Sequence, residues 1–176
     1  MLIAHAPAGY LVSRGLSNNK IIILFGLLGS VLPDLDVIYF YWLDNQMHHH
    51  HEYWSHIPYY WLMILLVILP FLCFAKRAVF YSFIVMFANI FLHLFLDTMW
   101  SGGIQWLYPF SDKMVSFLEV PTRWAAKEVY YGIEGWVWNF VIHPSFLIEV
   151  TLFITASIIF LRARYEKYNE QLEKVL

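Results

Sequence analysis

Two carboxylates, Asp34 and Asp36, close an apolar run from Ile21 to Leu32 and precede an aromatic stretch from Val37 to Leu43. An uncompensated charge at the centre of a bilayer helix costs roughly 2.5 to 3.5 kcal/mol on insertion scales, so a cation is expected beside the pair. His93 and Asp97 are four residues apart, and on a helix both project from one face within reach of a common ion. The run His48 to His51, followed by Glu52 and His56, holds more imidazoles than one ion uses, and His51 with His56 is the pair selected for coordination. With His5 near the amino end, the candidate metal ligands are His5, Asp34, Asp36, His51, His56, His93 and Asp97. Imidazole and carboxylate together suit Zn²⁺, with Mn²⁺ or Fe²⁺ as alternatives, and the set exceeds the three or four donors of one catalytic zinc, so two or three ions fit it. Asp34 and Asp36 diverge on a regular helix and converge only if Pro33 opens the backbone; otherwise one is a ligand and the other orients it. The chemistry implied is a metal-activated water attacking an ester or phosphoester, with Asp36 or Glu52 as general base.

These residues need elements that bring them together, and the composition says which kind. Of 176 residues 60% are hydrophobic and 20% aromatic. A mean hydropathy of +0.57 places the chain among membrane proteins. The charge balance is 11 basic against 13 acidic residues, net −2, which leaves no basic field for nucleic acid. Cys73 is the single cysteine, so no intrachain disulfide forms. No small-residue cleavage site follows Ile21 to Gly29, so that segment is expected to be retained.

Four apolar segments stand out: Ile21 to Trp42, interrupted by Pro33, then Ile57 to Ala75, Ala78 to Trp100 and Val141 to Leu161. Each approximates the ~20 residues that cross a bilayer as a helix. Leu2 to Leu16 is apolar but short, and Thr122 to Tyr131 reads as an external amphipathic helix within the long connection from Ser101 to Phe140. The expected fold is an all-α, single-domain integral membrane bundle with about four spans, kinked at Pro33 and Pro70. Arg14, Lys20, Lys76, Arg77, Arg162, Arg164, Lys167 and Lys174 gather on one side of that bundle, and Lys113, Arg123 and Lys127 on the other. The positive-inside rule makes the richer side, with both termini, cytoplasmic. The eight tryptophans belong to the opposite half.

Helical rise turns this topology into depths. A turn at Ser17 to Asn19 raises His5 and Asp34 to roughly 20 to 23 Å, and a turn at Lys76-Arg77 raises His93 to about 25 Å and Asp97 and His56 to about 31 Å. The candidate ligands thus share a slab near the outer interface. Plainer readings stand beside this one: His48 to His50 as a wet loop, His143 as an interfacial residue, Glu149 as either a functional carboxylate or a hydrogen-bonding one, and the whole cluster as an interhelical polar clamp without metal.

The motifs are His5-Ala6-Pro7-Ala8-Gly9, Gly29-Ser30-Val31-Leu32-Pro33-Asp34-Leu35-Asp36, His49-His50-His51-Glu52-Tyr53-Trp54-Ser55-His56 and His93-Leu94-Phe95-Leu96-Asp97-Thr98, followed by Tyr108-Pro109-Phe110. In that order they resemble the YdjM-like membrane-bound metal-dependent hydrolases over about the first two thirds of the chain. The family pattern around the second histidine reads His-Arg-x-x-Thr-His-Ser; here Glu52, Ser55 and Ile57 replace the arginine, threonine and serine. The resemblance implies a helical protein of a bacterial or archaeal inner membrane with hydrolase activity. The resemblance names no substrate; the slab's place near the headgroups, among Trp and Tyr residues that suit an amphiphile, makes hydrolysis of a lipid-like ester or phosphoester the expected function, and the alternatives are a metal-ion carrier, a sensor or a structural membrane protein.

Overall fold

A computed structural model describes residues 3–44, 50–99, 103–117, 141 and 145–174. Its helices are α1 (His5–Leu16), α2 (Lys20–Val31), α3 (Asp36–Trp42), α4 (Pro58–Cys73), α5 (Arg77–Thr98) and α6 (Phe146–Glu173). Short 3₁₀ turns at Pro33–Leu35, His50–Glu52 and Trp54–His56 connect them. The described residues contain no strand, only an isolated antiparallel bridge between Ile104 and Val115. The expected external helix at Thr122 to Tyr131 lies outside the described residues.

Local chemistry sets the boundaries. The Asn19 side chain accepts a hydrogen bond from the Ile21 amide at 2.9 Å and starts α2. Pro33 has no amide hydrogen to continue the ladder, so α2 ends, the chain makes one 3₁₀ turn, and α3 departs at 52° to α2. Pro58 occupies the first turn of α4, where a missing donor costs nothing, whereas Pro70 lies inside that helix, which continues to Cys73.

The expectation of four spans is corrected. Among the described residues α5 and α6 are each long and apolar enough to cross a membrane, and α2 with α3 makes a third span if the bent pair counts as one. α4 has 16 residues, which at 1.5 Å each reach about 24 Å, short of a ~30 Å hydrocarbon core. α6 absorbs both the last apolar segment and the charged tail in one continuous helix.

Among the described residues α2 packs along α5 in the most extensive helix contact, and α1 lies against α2, α5 and α6. Trp61, Phe87, Ile90, Leu94 and Ile104 form the apolar core, while Leu24, Leu28, Phe153 and Ile158 face outward as a lipid-facing surface would. The close approach depends on small residues, as in membrane helix pairs generally. A Cβ added to Gly29 would lie 2.1 Å from the Met86 carbonyl oxygen, and one added to Gly9 would lie 2.4 Å from the Ser30 Cβ. Asn89 donates to the Ser13 hydroxyl at 3.2 Å and to the Val85 carbonyl at 2.8 Å, tying α5 to α1 in the buried interior.

Gly29→Val should therefore cost about 1 to 3 kcal/mol or more, because the obstacle is backbone that cannot swing away. Gly15→Ala, with nothing within 4 Å of the new methyl, should be neutral or stabilising by up to about 1 kcal/mol. Thermal melts of both variants in one detergent check the contrast.

Candidate metal centre

Four separate stretches of chain deliver the candidate ligands. His5 opens α1, Asp34 lies in the turn made by Pro33, His51 and His56 sit in the two 3₁₀ turns before α4, and His93 and Asp97 share one face of α5. His5, His51, His56, His93 and Asp97 are buried, and Asp34 is partly exposed. Donor atoms of His5, Asp34, His93 and Asp97 fall within 4.8 Å of one another, as do those of His51, His56 and Asp97. Asp97 belongs to both groups. Its Oδ1 is 3.1 Å from His5 Nε2, and its Oδ2 is 3.0 Å from His93 Nε2, 3.7 Å from His56 Nε2 and 3.9 Å from His51 Nε2. Asp34 Oδ1 completes the cluster, 3.5 Å from His93 Nε2 and 3.6 Å from His56 Nε2.

The far side of each ring decides what the near side can do. His93 Nδ1 lies 2.8 Å from the Ser30 carbonyl and His51 Nδ1 lies 3.0 Å from the Gly103 carbonyl. A carbonyl oxygen only accepts, so in both residues Nδ1 carries the proton and Nε2 presents its lone pair to the cluster. His56 Nδ1 donates to Asp36 Oδ2 at 2.6 Å, the carboxylate and histidine pairing common behind metal ligands. The Ser55 hydroxyl donates to the same oxygen at 2.5 Å. These donors suit a divalent ion: four imidazoles, of His5, His51, His56 and His93, converge with the carboxylates of Asp34 and Asp97.

Of the sequence candidates, Asp36 belongs to neither group and instead holds His56 from behind, the orienting alternative for that carboxylate. Glu52 is exposed and lies on the wall of a cavity of about 840 Å³ that Asp36 also lines. Glu149 is buried in α6, where its Oε2 accepts from the Ile3 amide at 2.7 Å and its Oε1 from the Ser145 hydroxyl at 2.8 Å. It thereby fixes the chain two residues before His5. His48, His49 and His143 lie outside the described residues.

Sequence reasoning did not single out the carbonyls of Ser30 and Gly103 or the hydroxyl of Ser55. Main-chain acceptors carry no side-chain signature, but Gly103 had an indirect one. Its φ is +65°, and a Cβ there would meet the Val115 carbonyl at 2.5 Å, so only glycine lets this segment fold back and offer its carbonyl to His51. The Thr98 carbonyl, accepting from the Phe117 amide at 2.8 Å, and the Thr98 hydroxyl, accepting from Trp106 Nε1 at 2.7 Å, hold that segment on the end of α5.

An all-helical membrane protein with a buried histidine and aspartate centre able to hold metal is the class these features define. The chain belongs to the family of YdjM inner membrane proteins, whose family model matches residues 1–168 and so takes in α6 as well as the motif-bearing helices. No curated protein and no solved structure matches it.

Burial opposes a charge on His56, but hydrogen bonds to Asp34 and Asp36 outweigh it and raise its pKa from 6.5 to about 9 in the metal-free protein. The sign follows from a raised folded-state value: the charged pair stabilises the metal-free fold fully below about pH 6.5, and that contribution is lost as pH rises through about 9. A divalent ion must displace this proton. Zn²⁺ affinity should therefore increase from pH 6.5 to 9, with proton release on binding, measurable by calorimetry in buffers of different ionisation enthalpy.

Proposed function

We propose that this chain is a membrane-embedded metal-dependent hydrolase acting on the ester or phosphoester of a lipid-like molecule. The observation that carries the reading is the position of Asp97, one buried carboxylate shared by two sets of donors. His5, Asp34, His93 and Asp97 would hold one divalent ion, most simply Zn²⁺ with Mn²⁺ or Fe²⁺ as alternatives, and His51, His56 and Asp97 a second. Bound there, such ions lower the pKa of a ligated water toward about 7 and polarise the oxygen under attack.

The remaining work belongs to the side chains. Asp36 and the carbonyls of Ser30 and Gly103 keep His56, His93 and His51 in one tautomer and orientation. Asp36 acts through His56 and Asp44 accepts from the Tyr53 hydroxyl, which leaves Glu52, exposed on the same cavity wall, as the carboxylate to take a proton. The cavity of about 840 Å³ is of the size that takes a small ligand, and Leu32, Leu35, Tyr39, Trp54 and Trp61 give it a surface suited to an amphiphile entering beside Asp36. Membership of an inner membrane family supports a substrate drawn from the bilayer. A second reading is favoured by the short contact between His56 and Asp36: a polar clamp that staples the helices and binds no ion.

Asp97→Asn should remove metal from both groups, read by elemental analysis of the detergent-purified protein, and abolish metal-stimulated hydrolysis in a screen of generic phosphoester and lipid substrates. Asp36→Asn should keep the fold and weaken metal affinity by about 10- to 100-fold. The clamp reading predicts instead that wild-type protein melts at one temperature with and without EDTA and hydrolyses nothing.

A further inference from the structure

α1 leads from the metal centre at His5 to a different site at its other end, where Arg14 lies about 14 Å further along the helix axis. A cavity of about 910 Å³ opens there between α1, α2 and α6. Its walls change character along its length. Ile23, Leu24 and Leu27 of α2 and Phe160 of α6 make the part nearer the bundle centre apolar, whereas Arg14, Lys20, Arg164 and Lys167 make the outer end cationic. Lys20 of α2 and Lys167 of α6 both line that end. Among the described residues none of these four cations forms an ion pair. Glu166 and Glu170 also line the cleft, but Glu166 Oε1 lies 3.5 Å from Arg162 Nε, and Arg14 donates to the Asn18 side chain, which brings no charge.

Four cations lining one cleft against the two carboxylates of Glu166 and Glu170, in a chain whose net charge is −2, leave a local positive excess that a bound anion would relieve. The apolar wall beside them suits a hydrocarbon chain and not a free ion, and basic pockets between membrane helices at the headgroup level are recurrent sites for anionic lipids. We propose that this cleft binds one anionic phospholipid of the surrounding leaflet. Its phosphate lies among Arg14, Lys20 and Lys167, and an acyl chain runs along Leu24, Leu27 and Phe160. The site is separate from the metal centre and holds whether or not that centre hydrolyses anything. Because α6 and α1 form its walls, the lipid would brace α6, the helix whose Glu149 fixes the segment before His5.

The test uses the full chain in detergent, with retained phospholipid counted by native mass spectrometry during titration with phosphatidylglycerol or phosphatidylcholine. Wild type should retain a single phosphatidylglycerol at least about tenfold more tightly than phosphatidylcholine. Lys20→Gln with Lys167→Gln should reduce that preference by about tenfold or more, at roughly 1 kcal/mol per basic residue. Lys76→Gln with Arg77→Gln, basic residues outside the cleft, should leave it within about twofold. Exposed lysines tolerate this change, and equal melting temperatures in phosphatidylcholine alone would verify the folds. Equal losses in the two double variants would reduce the effect to diffuse surface charge and overturn the proposal. So would competition by inorganic phosphate at concentrations near those of the lipid, which would make the cleft a site for a soluble anion.

Discussion

A carboxylate buried among apolar helices must be neutralised by what surrounds it, and the arrangement around Asp97 is the consequence. Its two oxygens meet imidazoles from two other stretches of chain, His5 and the pair His51 and His56, and one, His93, from its own helix. Removing one partner of such a buried pair leaves an unsolvated charge, which costs about 3 to 5 kcal/mol. The same demand explains the layer behind the rings. Each imidazole facing the cluster from His51, His56 or His93 has its other nitrogen engaged by an acceptor, so the tautomers are set before any ion arrives.

Helix packing and site chemistry are one construction here. Gly9 admits Ser30 close to α1, and the carbonyl of Ser30 is the acceptor for His93. Gly29 lets α2 press against the backbone of α5 one residue before that serine. Pro33 then ends the helix, and the turn that follows delivers Asp34 to the cluster while Asp36 falls behind His56. A proline that merely kinked the helix would have left both carboxylates on a single ladder pointing apart. The short first helix carries a donor, His5, at one end and one wall of a cationic cleft, with Arg14, at the other.

The molecule is polar at its two ends and apolar between them, with opposite chemistry at each. At one end carboxylates and imidazoles converge beside a cavity faced with tryptophan and tyrosine; at the other arginine and lysine surround an opening with an apolar wall. Between them the buried polar side chains among the described residues are few, and Asn89 there bonds through its amide nitrogen to Ser13 and Val85. A permeation route would need polar groups along its length, and among the described residues the stretch between the two ends offers few.

Much of this was legible in the residues themselves. Apolar run lengths announced helices, the i, i+4 spacing of His93 and Asp97 placed them on one face, and uniform helical rise predicted that His5, Asp34, His56 and Asp97 would reach similar depths. Those inferences work because helix geometry is periodic and the bilayer has a known thickness. The number of spans was less legible, because hydropathy does not reveal that α4 falls short or that α2 and α3 part at 52°. Which of Asp34 and Asp36 faces the cluster, what Glu149 holds, and which carbonyls orient the rings were decided only in three dimensions. Main-chain acceptors and crossing distances are properties of how helices meet, and a linear pattern of side chains records residue type and period but not the approach of one backbone to another.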